Sequence, residues 1–179
     1  MSYCINPTCQ SPQNPEQVEL CQSCGSKLLL QESYRAIKPI GAGGFGRTFL
    51  TVDESQVFKP PCVIKQFFLQ DQGTGNVEKA VELFYQEAVR LDELGKHLQI
   101  PQLLTSLEQD NRLYLVQEFI EGRNLETELA EEGAFSETQI RQLLNDLLPV
   151  LQFVHDHQVI HRDIKPANII RRTPPTPPW

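Results

Sequence analysis

Three groups of residues in this sequence carry side chains of the kind that do chemistry. "HRDIKPAN" brings Asp163, Lys165 and Asn168 close together in the chain. A carboxylate held in a loop can orient a hydroxyl and accept its proton, and a carboxamide oxygen is a hard ligand suited to Mg²⁺. Lys165, two residues after Asp163, is placed to neutralise a phosphoryl group in transfer. "GAGGFG" sets Gly41, Gly43 and Gly46 in a G-x-G-x-x-G spacing, with Ala42, Gly44 and Phe45 between them. Glycines let backbone N–H groups reach phosphate oxygens with no Cβ in the way, although a glycine-rich hairpin turn is the plainer reading. The third group is Cys4-x4-Cys9, 11 intervening residues, then Cys21-x2-Cys24-Gly25. Two closely spaced pairs of thiols make a plausible tetrahedral Cys₄ zinc site; four reduced thiols without a metal are the alternative.

Two further residues bear on the glycines. Lys65 ends "VIK", 19 positions beyond Gly46. A lysine in such a strand is either the solvent face of a half-buried sheet or a phosphate anchor. Glu87 falls, on a helical wheel, inside the arc of Leu83, Phe84, Leu91, Leu94 and Leu98. A carboxylate on a buried face is costly unless paired, and Lys65 is the natural partner. His161 has no serine, cysteine or second histidine around it in a triad or zinc pattern, and a structural role is expected. His155 and His157 read as a helix end, and Cys62 as a small core residue.

The elements that must position these groups follow from periodicity and punctuation. "YRAIKPIG", "RTFLTVD" and "CVIKQFF" are β-branched and aromatic runs between turn signals, hence strands. The glycines thus lie between two strands, the place of a flap over phosphates and not of a dinucleotide fingerprint, which needs a strand and then a helix. "NVEKAVELFYQEAVRLDELGKH" repeats apolar residues at three and four, hence a helix. "QLLTSLEQDNRLYLVQEF" reads as a hairpin turning at Asp110–Asn111. Asn124 caps a short helix ending at Gly133. Ser136 and Gln139 form a capping box for a longer helix through about His155, with Pro149 inside it. Strands with one helix, followed mostly by helices, give an α+β order.

Composition bounds the rest. A hydrophobic fraction of 40% and a charged fraction of 22% are those of a globular chain. The net charge of -7 argues against nucleic acid or an anionic membrane as a partner. No apolar run reaches the ~20 residues that span a bilayer, and the start is no signal peptide, so a cytoplasmic location is expected. Residues 1–30 are too poor in apolar residues to fold unaided, so the cysteines must staple them.

The glycine loop, "VIK", the helix glutamate and "HRDIKPAN" occur in one order from about Tyr34 to Arg172. In this the chain resembles the eukaryotic-like serine/threonine protein kinases of bacteria. The resemblance implies a two-lobed fold with Mg-ATP in the cleft. Residues 1–30 would be a zinc-ribbon-like module, 31–122 the N-lobe and hinge, 123–172 the first part of the C-lobe, and 173–179 a proline-rich tail. Gly41 to Gly46 would cover the phosphates, and Lys65, paired with Glu87, would hold the α and β phosphates. Asp163 would be the catalytic base and Asn168 a Mg²⁺ ligand. "VQEFIEG" resembles the hinge, with backbone groups of Glu118 and Ile120 facing adenine and Gln117 at the gatekeeper position. Lys165 is the serine/threonine form of the loop, so the implied partner is a protein with a serine or threonine acceptor. A short Cys₄ ribbon occurs in a subgroup of such kinases, which supports zinc in a structural role. Thr48 departs from the usual valine over adenine, and Ala167 from the usual glutamate of the loop, which leaves substrate preference open.

No D-F-G or A-P-E follows Asn168 within the 179 residues, and four of the last six are proline. The expectations drawn from this are low phosphotransfer by the chain as given, and an apolar face on the 136–155 helix left open to a partner. A nucleotide-binding adaptor and a non-functional fragment are the alternatives. Thr173, although followed by proline, is not expected to be an activation-loop phosphosite.

Overall fold

The computed structural model describes residues 1–43, 46–67 and 77–173. They form two compact units, Met1–Lys96 with Pro101–Phe119, and His97–Ile100 with the residues from Ile120 onward.

In the first unit the strands are β1 (Ser2–Tyr3), β2 (Gln13–Asn14), β3 (Leu29–Leu30), β4 (Tyr34–Gly43), β5 (Gly46–Asp53) and β6 (Pro61–Phe67). Helix α1 (Val77–Leu94) and strands β7 (Leu103–Gln109) and β8 (Arg112–Glu118) complete it. The main sheet is antiparallel, in the order β3-β4-β5-β6-β8-β7. Asp110 and Asn111 both take left-handed backbone, φ 51° and 55°, in the tight turn between β7 and β8. Such primed turns match the twist of paired strands, and Asp and Asn tolerate the conformation.

Alternation along the strands gives the sheet two buried faces, which is why β8 is buried at five successive positions. One face carries Phe49, Ile64, Tyr114 and Val116, packed with Tyr3 and Ile5 of the N-terminal segment. The other carries Leu113 and Leu115 against Phe84 and Ala88 of α1. The four-cysteine segment therefore covers one side of the sheet and α1 the other.

Helix α1 buries a narrower stripe than the wheel predicts. Phe84, Ala88 and Leu94 are buried, with Val81 and Leu91 packed beside the first two, whereas Leu83 is 53% exposed; Leu98, also in the expected arc, lies beyond the end of the helix. The cover offered by Phe67, Leu103, Leu113 and Leu115 reaches only this stripe. Glu87, on its flank, is exposed. The buried carboxylate expected from the sequence is thus not there.

In the second unit, β9 (Gly122–Asn124) pairs antiparallel with β10 (Ile170–Arg172), around helices α2 (Leu125–Glu132) and α3 (Glu137–Asp156) and a 3₁₀ turn, Pro166–Asn168. Both helices start at the caps expected from the sequence. Thr127 N donates to Asn124 Oδ1 at 2.8 Å, and Ser136 and Gln139 close a reciprocal capping box. Gly133, at φ 83°, ends α2. Helix α3 buries Val150 and Val154, while Ile140, Leu144 and Leu148 form an exposed apolar stripe. Among the described residues no helix is long and apolar enough to cross a membrane.

Candidate nucleotide site, catalytic loop and thiol cluster

The glycine hairpin is an extension of β4 and β5. Gly41 stands opposite Thr48, Ala42 opposite Arg47, and Gly43 opposite Gly46. Gly44 and Phe45, expected to touch phosphates, lie outside the described residues. A Cβ on Gly46 would run into the Gln66 carbonyl of the adjoining strand, so this glycine is required by packing. A Cβ on Gly43 would meet nothing within 4 Å, and one on Gly41 only Thr48 atoms at 3.7 and 3.8 Å. At these two positions nothing among the described residues demands glycine.

Lys65 lies on β6 opposite Thr48 of β5, on the face of the sheet that alternates with the buried Ile64 and Gln66. The ion pairs on α1 are Lys79–Glu82 and Arg90–Glu93, each at 3.0 Å, and among the described residues none joins Lys65 to Glu87. Gln117 is buried at the end of β8, and the Glu118 N–H donates to Gln102 O at 2.9 Å. Ile120 opens the second unit.

In the second unit the candidate catalytic-loop residues gather around one carboxylate. Lys165 Nζ lies 3.0 Å from Asp163 Oδ1, and Asn168 Nδ2 donates to Asp163 Oδ2 at 2.8 Å and to the Asp163 carbonyl at 2.9 Å. These two donors hold the Asp163 carboxyl below the usual carboxylate range. With its amide nitrogen so committed, Asn168 has its oxygen to offer a cation. The turn that presents Asn168 is closed by its own N–H to Lys165 O at 2.9 Å, and Leu125 N of α2 donates to Ile169 O at 3.0 Å. His161 Nδ1 accepts from the Asp163 N–H at 3.3 Å. Arg162, in the loop that leads into Asp163, adopts φ 63°, a strained value for a non-glycine residue.

The four thiols of Cys4, Cys9, Cys21 and Cys24 converge, with all Sγ atoms within 4.8 Å of one another. Cys4 to Cys24 and Cys9 to Cys21 are each 3.6 Å. Four thiolates at 2.3 Å from a zinc ion stand about 3.8 Å apart in a tetrahedron, so the cluster fits this metal. Asn6 Nδ2 and Asn14 Nδ2 lie 3.6 and 3.5 Å from the Sγ of Cys24 and Cys21, hydrogen bonds of the kind that orient ligands. Burial pushes the Cys4 thiol up, whereas the Ser26 hydroxyl and amide hold Cys24 down to about 6. Burial also pushes Cys62, inside the sheet, up to about 12, in keeping with an inert core thiol.

Residues that the sequence gives no reason to notice tie this cluster to the sheet. Arg47 Nη2 and Gln66 Nε2 both donate to the Ile5 carbonyl, at 2.6 and 3.0 Å. Arg35 donates to Ser2 Oγ at 3.3 Å and to Val18 O at 3.0 Å, and Arg112 Nη2 lies 3.5 Å from Asn6 Oδ1. The partners are 17 to 106 positions apart in the chain, beyond the reach of any local pattern.

The protein kinase domain family model matches residues 34–174. Among curated proteins, serine/threonine-protein kinase B of Synechocystis sp. is 45% identical over 172 residues, covering 96% of this chain and 30% of its own length. Serine/threonine-protein kinase PknA of Nostoc sp. is 42% identical, with 80% of this chain and 26% of its own length covered. The chain thus spans about a third or less of these relatives. Among solved structures, the apo form of PpkA-294 superposes with a TM-score of 0.66 at 23% identity, over 78% of this chain and 54% of the other, a likeness of fold. The chain belongs to the protein kinase family, among relatives that are bacterial serine/threonine kinases.

Proposed function

We propose that these residues are the ATP-binding and catalytic-loop part of a serine/threonine protein kinase. The observation that carries the reading is the Asp163–Lys165–Asn168 cluster: an ionised carboxylate held by the two side chains that phosphoryl transfer to a hydroxyl requires beside it. Asp163 receives the proton of a serine or threonine hydroxyl on a protein substrate, and Lys165 offsets charge on the transferring group. Asn168 would hold Mg²⁺, which supplies charge neutralisation at the phosphates when bound. Gly41, Ala42, Gly43 and Gly46, together with Gly44 and Phe45, cover those phosphates. Lys65 anchors them, Glu87 meets Lys65 in the nucleotide-bound form, and backbone groups of Glu118 and Ile120 take adenine. Cys4, Cys9, Cys21 and Cys24 hold a structural zinc ion, because four thiolates leave no coordination position for water. The net charge of -7 favours neither nucleic acid nor an anionic membrane as partner.

The test is a titration with a fluorescent ATP analogue in Mg²⁺, followed by phosphate transfer to a generic acceptor protein. Lys65→Met should weaken nucleotide binding at least about tenfold, since it removes a desolvated charge contact. Asp163→Ala should leave nucleotide binding intact and abolish whatever transfer is measured. Nucleotide binding that is absent, or indifferent to Lys65→Met, would overturn the reading.

A further inference from the structure

The Ile5 carbonyl is the meeting point of three parts of the first unit. Ile5 follows the candidate metal ligand Cys4. Arg47 belongs to β5, one residue beyond Gly46, and Gln66 to β6, one residue beyond Lys65. Arg47 and Gln66 stand directly opposite each other in the sheet. Besides sharing Ile5, they bond to each other: Arg47 Nε and Nη2 donate to Gln66 Oε1 at 3.1 and 2.7 Å. Gln66 Nε2 also lies 3.1 Å from Tyr114 Oη, and Gln66 is 1% exposed.

A buried amide with a half-buried guanidinium against it is an expensive way to pack this face of the sheet. Apolar side chains of the same size would pack there without desolvating polar groups. What the polar pair adds is direction, since each donor fixes its acceptor to within a few tenths of an ångström. The acceptor in common is a backbone atom of the Cys4 knuckle, and the strands so fixed are those of the phosphate-covering glycine and the phosphate-anchoring lysine.

We propose that Arg47 and Gln66 are positioning residues through which the zinc-loaded Cys4 knuckle, by its Ile5 carbonyl, sets the strands of Gly46 and Lys65 for nucleotide binding. The inference rests on the ATP-binding reading above. Lys65 projects from the face opposite Gln66, so a shift of the β6 backbone at Gln66 displaces the Lys65 ammonium directly. Metal holds Cys4, and hence the adjoining carbonyl, in a segment with too little apolar core to hold itself. Coupling of this kind is reciprocal: if zinc tightens nucleotide binding, nucleotide tightens zinc binding by the same factor.

The experiment measures both directions. A non-hydrolysable Mg-ATP analogue is titrated into zinc-loaded wild-type protein and into Arg47→Met and Gln66→Met, with zinc per chain determined in each. Both variants should retain zinc and bind the analogue about tenfold more weakly, within the usual range of allosteric coupling. Arg47→Lys, which keeps a donor for Ile5, should recover part of the loss. In chelator competition, saturating analogue should raise the zinc affinity of wild type about tenfold and leave that of Arg47→Met unchanged. A variant that loses zinc or does not fold hands the decision to the wild-type competition. Variants that bind the analogue within about twofold of wild type, or wild-type zinc affinity indifferent to it, would sink the proposal and leave the kinase reading standing. Zinc-loaded wild type that binds no analogue at all would remove both.

Discussion

Gly46 and Gly43 stand three residues apart in one hairpin and are glycine for different reasons. At Gly46 the backbone of β6 comes so close that a methyl group would collide with the Gln66 carbonyl. At Gly43 there is open space. Gly46→Ala should therefore cost roughly 2–3 kcal/mol of stability, the range of a forced backbone shift, whereas Gly43→Ala should stay within about 0.5 kcal/mol. The order reverses for ligand binding relative to stability: Gly43→Ala keeps its fold and should lose nucleotide affinity several-fold, because on the proposed reading its Cβ would stand where phosphate oxygens approach. Urea unfolding and nucleotide titration of the two variants check this. Unchanged affinity in Gly43→Ala would remove the phosphate-covering role from this part of the hairpin. The G-x-G-x-x-G spacing in the sequence cannot separate the two cases, since it records where glycine stands and not what approaches it.

Elements were legible where the cause of an element is local. The capping box at Ser136, the Asn124 cap, the Asp110–Asn111 turn and the Gly133 stop each arise from a side chain and a backbone group a few residues apart. The face that α1 buries was less so. A wheel gives the directions of Leu83 and Glu87 but not the extent of the partner surface, and that extent is fixed by residues from β6, β7 and β8. The catalytic-loop cluster belongs to the first kind, with all its contacts within five positions. Its support is an element-scale matter. Asn124 pairs with Ile170 across β9 and β10 and caps α2, whose first N–H reaches Ile169 O. Asn124→Ala should cost about 1 kcal/mol, the usual loss for a helix N-cap. It should also raise amide exchange at Thr127, which loses its acceptor, and at Ile169 and Asn168, which the helix start steadies. A thermal melt and hydrogen exchange read these separately. Faster exchange at Thr127 alone would mean that the cap stabilises α2 without supporting the loop.

At the scale of the molecule, the N-terminal segment belongs to the same compact unit as the sheet, and its attachment is polar as well as apolar. Tyr3 and Ile5 fill one face, while Arg35, Arg47 and Arg112 donate to Ser2, Val18, Ile5 and Asn6. Arg35 is 5% exposed and pairs with Glu54 at 3.1 Å, so it has little water to turn to if the segment departs. With zinc bound as proposed, a segment whose small cluster consists of Cys4, Cys21 and Leu28, with Cys9 and Val18 beside it, would depend on the metal to keep those acceptors in place. Chelation should consequently destabilise the sheet and not merely the segment. A loss of ~2 kcal/mol in a unit of this size lowers Tm by about 8 °C. Hydrogen exchange gives the sharper reading, because it locates the loss. Protection should fall along β4, β5 and β6, which face the segment, and should hold in α3, which belongs to the other unit. Protection lost only within residues 1–30 would show a module that unfolds without consequence for the sheet. Protection lost equally in α3 would show that the two units unfold as one.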